Sequence, residues 1–263
     1  MILATLGPEG TFSHEIASRL HAETIELLPT IRSVFRRVEE GHADGLVPLE
    51  NSLAGGVGAT LDCLYQFEVT ITGEAYLRIH HHLVGSVEPA SMEVLYVHPQ
   101  THEQCSAWIE TLGIPVVHTA SNAASAEACA RTPRGGAITS MTAARIHHLP
   151  VLASDVQDAG DNITRFVHIA SAPPPCSNPA KCSIVIDPEA DRTGLLHDLL
   201  GVFADRAINL TKIESRPARR GMGTYIFFLD IAASPGWQEA LEELSGIARV
   251  RNLGCYPEGE VYG

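Results

Sequence analysis

Several short polar stretches carry residue types whose spacing could do chemistry. Gly7-Pro8-Glu9-Gly10-Thr11-Phe12-Ser13 places a tight turn and two hydroxyls before a helix-like segment. Such a joint offers backbone N–H and side-chain O–H groups to an anion, or serves as an ordinary Ser or Thr cap. Its spacing is that of neither a dinucleotide fingerprint nor a P-loop, which disfavours a nucleotide phosphate. Glu50, Asn51 and Ser52 follow a short apolar run and precede Gly55-Gly56. At the carboxyl end of a strand they would line a crevice; a solvated loop is the alternative. Asp161-Asn162-Ile163-Thr164-Arg165-Phe166 leads into an apolar run over residues 166–170. Thr164 and Arg165 are neighbours on a strand and so face opposite ways, and both need not reach one site. The same alternation keeps His80-His81-His82 from sharing one ion, and no metal site is expected there.

These stretches sit in two contexts. Up to residue 170, strand-like runs (2–6, 24–28, 45–48, 69–79, 94–98, 116–118, 137–139, 151–153) alternate with helix-like segments. That alternation predicts an α/β fold with mostly parallel sheets. Four prolines in Ser171-Ala172-Pro173-Pro174-Pro175-Cys176-Ser177-Asn178-Pro179 then read as a linker. The expected division is 1–171, a linker at 172–180, a unit at 181–257 and a tail at 258–263. The unit at 181–257 reads strand-helix-strand-strand-helix-strand, the ferredoxin-like order. In it, Gly194-Leu195-Leu196 opens a helix and residues 209–217 run along a strand.

Composition narrows the class. The 263 residues carry a formal charge of −13, opposite to what a phosphate backbone needs, so nucleic acid is not an expected partner. The hydrophobic fraction of 45% supports a packed core, and no run approaches the roughly 20 apolar residues that span a bilayer. The first residues read as a strand, not a signal peptide. Six cysteines at irregular spacing predict free thiols in a reducing, cytoplasmic setting.

In their order and spacing, these stretches resemble prephenate dehydratase with a C-terminal ACT regulatory domain. The opening at residues 7–13, Glu50-Asn51-Ser52 with the later Leu61-Asp62, Thr164-Arg165-Phe166 behind Asn162, and Glu214-Ser215-Arg216-Pro217 all match that family. Gln104-Cys105 also match, but Val97 stands where the family has a serine, and Leu195 where it commonly has alanine.

The resemblance implies a two-lobed, periplasmic-binding-protein-like catalytic domain followed by a ferredoxin-like (βαββαβ) ACT domain. Its crossings would fall near residues 77–82 and 154–164. It implies loss of water and carbon dioxide from prephenate to give phenylpyruvate, without a cofactor or metal. Thr164, Asn51, Ser52 and Gln104 become catalytic candidates. Thr11, Phe12, Ser13, Asn162, Arg165 and Phe166 become substrate-binding candidates. Glu50 joins them, either as a distant acid or as a residue holding its loop. Phenylalanine is the expected effector, at Gly194, Leu195, Leu196, Asn209, Leu210, Glu214, Ser215, Arg216 and Pro217, in a homodimer or homotetramer. Rival readings are action on the aminated substrate arogenate, a non-catalytic amino-acid sensor, and a decarboxylase relative that does not aromatise the ring.

Overall fold

The apolar runs of the N-terminal part enter two sheets, and the chain crosses twice between them. The structure, a computed structural model, describes residues 2–173, 176–220 and 223–263. The first lobe opens with β1 (Ile2–Leu6), α1 (Phe12–Arg19), β2 (Thr24–Leu28), α2 (Ile31–Glu39), β3 (Asp44–Asn51), β4 (Gly55–Gly56), α3 (Gly58–Gln66) and β5 (Thr70–Arg78). The second lobe holds β6 (His82–Gly85), β7 (Val94–Val97), α4 (Pro99–Gln104), α5 (Ser106–Leu112), β8 (Val116–His118), α6 (Asn122–Ala130), β9 (Gly135–Thr139), α7 (Met141–Ile146) and β10 (Val151–Ala153). Next, β11 (Ile163–Ala170) returns to the first lobe. The C-terminal unit is β12 (Lys181–Asp187), α8 (Leu195–Ala204), β13 (Leu210–Pro217), β14 (Tyr225–Ala232), α9 (Trp237–Ser245) and β15 (Arg249–Tyr256), followed by β16 (Glu260–Tyr262).

The sheet orders are β16-β5-β11-β3-β1-β2, with β4 beside β3, then β10-β6-β9-β7-β8 and β13-β14-β12-β15. The expected mostly parallel sheets are mixed instead. The strands that begin after the two crossings, β6 and β11, run antiparallel to both of their neighbours. Parallel pairing survives where a helix reconnects strands within one lobe, as in β1-β2 and β7-β8. The crossings themselves are residues 79–81 and 154–162. The expected tail is not free: β16 pairs with the edge strand β5 and adds to the first lobe.

Strand alternation explains how the C-terminal unit docks. Cys182, Ile184, Ile186, Leu229 and Ile231 pack under α8 and α9. The opposite face, with Val185, Ile226, Phe228, Leu253 and Tyr256, packs on Leu49, Leu61, Leu64, Phe67 and Ile71 of the first lobe. A two-sided sheet buries both faces only if something covers each, and here helices cover one and the catalytic lobe the other. The expectation of six free thiols is corrected. Cys182 and Cys255 stand opposite each other on β12 and β15 and form a disulfide, while Cys63, Cys105, Cys129 and Cys176 remain free.

The docking is tight at Gly254, whose φ of +138° suits glycine. A Cβ there would strike the backbone carbonyl of Ile71 on β5. Gly254→Ala is therefore predicted to cost about 2 kcal/mol or more and to lower the thermal midpoint by roughly 5 °C. Calorimetry checks this, and an unchanged midpoint would contradict the close backbone approach.

Candidate active site

Asn51 and Thr164 face each other across the antiparallel pair β3 and β11. Asn51 Nδ2 donates to Thr164 Oγ1 at 3.0 Å and to Asn162 Oδ1 at 2.7 Å. An amide nitrogen can only donate, so Thr164 accepts in this bond and keeps its own O–H free to donate elsewhere. Asn51 Oδ1 accepts from the backbone N–H groups of Leu53 and Ala54 and thereby fixes the turn after β3.

The network then leaves the first lobe. Asn162 Nδ2 donates to Gln104 Oε1 at 3.0 Å, and His81 Nε2 lies 2.9 Å from the same oxygen. Gln104 ends α4 in the second lobe, while Asn162 and His81 sit on the two crossing segments. With Gln104 Oε1 as acceptor, its Nε2 donors stay available and His81 carries its proton on Nε2. His81 is 1% exposed, and burial pushes its pKa down to about 4, so the ring is neutral. Its Nδ1 is buried without a hydrogen-bond partner. Sequence reasoning examined His80, His81 and His82 only as metal ligands. Alternation along an extended chain was the available signal: His80 meets Asp155 at 2.6 Å, and its neighbour turns inward.

The opening turn closes another side. Thr11 Oγ1 caps α1, donating toward the carbonyls of Leu6 and Pro8 and accepting from the His14 N–H. Phe12 sets its ring against His81, edge to face, at 5.6 Å between centroids. Ser13 is buried in the first turn of α1. Ser140, which caps α7 in the second lobe, donates to the Gly10 carbonyl at 2.8 Å. Gly10 fits because a Cβ there would lie 3.1 Å from Ala143 Cα. The two lobes thus meet through a turn and a helix cap, and sequence reasoning did not single out Ser140.

Ser52 has its hydroxyl occupied. It donates to the Asp161 carbonyl at 2.8 Å and accepts from the Ile163 N–H at 3.0 Å, clasping the end of β3 to the second crossing. Val97 is fully buried in the core of the second lobe, beside Leu83, Leu95 and Cys105.

Residues 3–174 match the prephenate dehydratase family, and residues 189–249 match the ACT domain. The chain is 35% identical to a prephenate dehydratase of Methanocaldococcus jannaschii, over 95% of this chain and 96% of that one. It is 34% identical to an arogenate dehydratase/prephenate dehydratase of Arabidopsis thaliana, over 95% of this chain and 70% of the relative. A crystal structure of prephenate dehydratase in complex with L-Phe from Arthrobacter aurescens superposes with a TM-score of 0.89 at 30% identity, covering 98% of this chain and 90% of that one. This chain belongs to the prephenate dehydratase family.

Within that family's threonine-arginine-phenylalanine motif, the three side chains part company. Thr164 joins the network above, and Phe166 is buried in the core with Leu3, Ile16 and Leu46. Arg165, a substrate-binding candidate from the sequence, turns to the other face of β11. There it is 4% exposed and bonds Glu50, Glu74, Asp230 and Tyr256. Three carboxylates hold it more strongly than a solvated cleft would. Glu50 points the same way, to Arg165 and Lys212, and away from Asn51. Burial resists its charge, but these two cations win and keep its pKa below the ordinary value.

The effector candidates lie on the ACT unit but not in one place. Gly194, Leu195 and Leu196 begin α8 at the end of the sheet where β12 finishes and Pro217 pairs with Tyr225. Asn209 and Leu210 lie at the opposite end, beside Ile231. Glu214 and Arg216 face the catalytic lobe, with Glu214 on Lys212 and Arg216 on Asp62 of α3, whereas Ser215 faces outward.

His81 gives this network a pH signature. The folded protein keeps the ring neutral down to about pH 4, whereas the unfolded chain protonates it near its ordinary 6.5. Between those values the unfolded state binds more protons. Stability is therefore full above pH 6.5 and falls as pH drops toward 4, by roughly 3 kcal/mol from this group. Denaturant titrations should show a shallower acid-side loss in His81→Gln, and an unaltered slope would contradict a buried neutral imidazole.

Proposed function

We propose that this chain converts prephenate to phenylpyruvate, water and carbon dioxide. The carrying observation is the amide relay that ties Thr164 and Asn51 of one lobe to Gln104 of the other. In the reaction the bond to the ring carboxylate breaks and its electron pair enters the ring. The ring C–O bond breaks, and hydroxide leaves with one proton as water. Aromatisation drives the step. The free O–H of Thr164 donates to the departing hydroxyl. A threonine is a weak acid, so this is hydrogen-bond assistance or a relay, not outright protonation. Asn51 holds Thr164 in the accepting role that frees that proton, and Gln104 Nε2 orients the ring.

The substrate is a dianion in a chain of net charge −13. With Arg165 turned away, its carboxylates meet neutral donors: the first-turn N–H groups of α1 near Phe12 and Ser13, where the helix dipole favours negative charge. Burial from bulk water strengthens such donors.

Phenylalanine acts on the ACT unit as feedback effector, in a homodimer or homotetramer. It inhibits because it prefers the less active quaternary state. The arogenate-named relative supports arogenate as a second substrate, which side-by-side assays would separate. The enzyme works in the cytoplasm. Among the described residues, no helix is long and apolar enough to cross a membrane.

Thr164→Ala is predicted to lower kcat on prephenate by about 10²–10⁴-fold. A rate within about threefold of the parent, far inside that range, removes Thr164 from the chemistry. Millimolar phenylalanine is predicted to slow the parent, and unchanged kinetics would leave the ACT unit a structural part only.

A further inference from the structure

The face of the first lobe turned away from the cleft holds a buried charge cluster that the mechanism above does not use. Arg165 Nε donates to Glu74 at 2.8 Å, Nη1 to Glu50 at 2.8 Å and to Asp230 at 2.5 Å, and Nη2 to Tyr256 at 2.9 Å. One guanidinium therefore ties β11 to its two neighbours β3 and β5 and to β14 and β15 of the ACT sheet. Lys181 and Lys212 surround it, on Glu74 and Glu50. They are the only two lysines in the chain, and both reach across from the ACT unit.

The cluster lies on the rungs that carry the cleft residues. Arg165 pairs with Glu50 and Thr164 with Asn51, on successive rungs of the same strand pair. Just behind them the register shifts, because Phe166 pairs with Pro48 and Leu49 is passed over. Pro48 has no N–H for the ladder, and a bulge leaves its extra residue unpaired. The bulge separates these two rungs from the rest of the ladder on the β3 side only, while β11 keeps an unbroken register with β5 from Ile163 to His168, so the side chains add to the backbone pairing that sets Asn51 against Thr164.

We propose that Arg165 is a positioning residue for Thr164 and Asn51, and that Asp230 and Tyr256 complete it from the ACT unit, which thereby helps build the cleft it regulates. Burial opposes the charge on Arg165, but Asp230, Tyr256 and Glu74 outweigh it and keep the guanidinium charged. Loosening the ACT side of the guanidinium shifts the Asn51–Thr164 rung without touching the cleft. This inference rests on the prephenate reaction proposed above.

The test is steady-state kinetics of the full chain on prephenate, well below the melting temperature, for Asp230→Asn, Thr164→Ala and the double variant. Asp230→Asn removes the charge but keeps the shape. Its kcat should fall about 10- to 100-fold with little change in KM, as expected for a small misplacement of a reacting group. Because Asp230 acts through Thr164, the double variant should lose no more than Thr164→Ala alone. A merely structural role would leave kcat of the folded variant within about twofold of the parent, or would give losses that multiply; either result overturns the proposal. If Asp230→Asn does not fold, Tyr256→Phe, which deletes one O–H, carries the same comparison with a smaller expected drop. A parent that leaves prephenate untouched removes the reading on which the proposal rests. An active parent with an unaffected variant removes the positioning role alone.

Discussion

The hydrogen bond from Asn51 Nδ2 to Thr164 Oγ1 joins residues 113 apart in sequence. It exists only because β3 and β11 run antiparallel, which in turn requires the chain to leave the first lobe at residues 79–81 and return at 154–162. Asn162 and His81, which carry the bond onward to Gln104, lie on those same crossings. A change in the angle between the lobes would therefore stretch the polar network directly. Every member with a fixed role is neutral: three amides, one hydroxyl and an imidazole that burial keeps uncharged. Neutral dipoles fixed in a low-dielectric site cost little to reorganise as charge moves through the ring.

Charge is concentrated on the reverse side. Arg165, Lys181 and Lys212 are matched there by Glu50, Glu74, Asp230 and Glu214 at the seam between the first lobe and the ACT sheet. Breaking a buried pair by removing one partner strands the other charge, so this seam resists separation. The seam continues along α3. Arg216 and Arg219 hold Asp62, Tyr65 bonds Asp187, and Arg251 reaches the Phe67 carbonyl just past the C-terminal end of the helix. The turn that Asn51 fixes lies just before α3, so the ACT unit touches both flanks of that turn.

Much of this was legible in the sequence. The βαββαβ order of the C-terminal unit followed from apolar runs, whereas both crossings and the expectation of Thr11, Asn51, Ser52, Gln104 and Thr164 around one cleft came from the family resemblance. Parity along a strand gave warning that Thr164 and Arg165 would part, but not which face met the cleft; that depends on what packs behind β11, and the ACT sheet does. Parity likewise held the clue to His81, obscured by three consecutive imidazoles that invited a metal reading. The disulfide was out of reach because Cys182 and Cys255 lie 73 residues apart and meet only through the β12-β15 register. The return of β16 to the first lobe was invisible for the same reason: three residues carry no periodicity, and only the open edge of β5 selects them.

A crystal structure of the full chain with an unreactive prephenate analogue that keeps the ring hydroxyl tests the central claim most directly. The account predicts that hydroxyl within about 3 Å of Thr164 Oγ1, with Gln104 Nε2 on the ring substituents and both lobes closed over the ligand. An analogue seated elsewhere, or one whose hydroxyl meets a different donor while Thr164 points away, would contradict it.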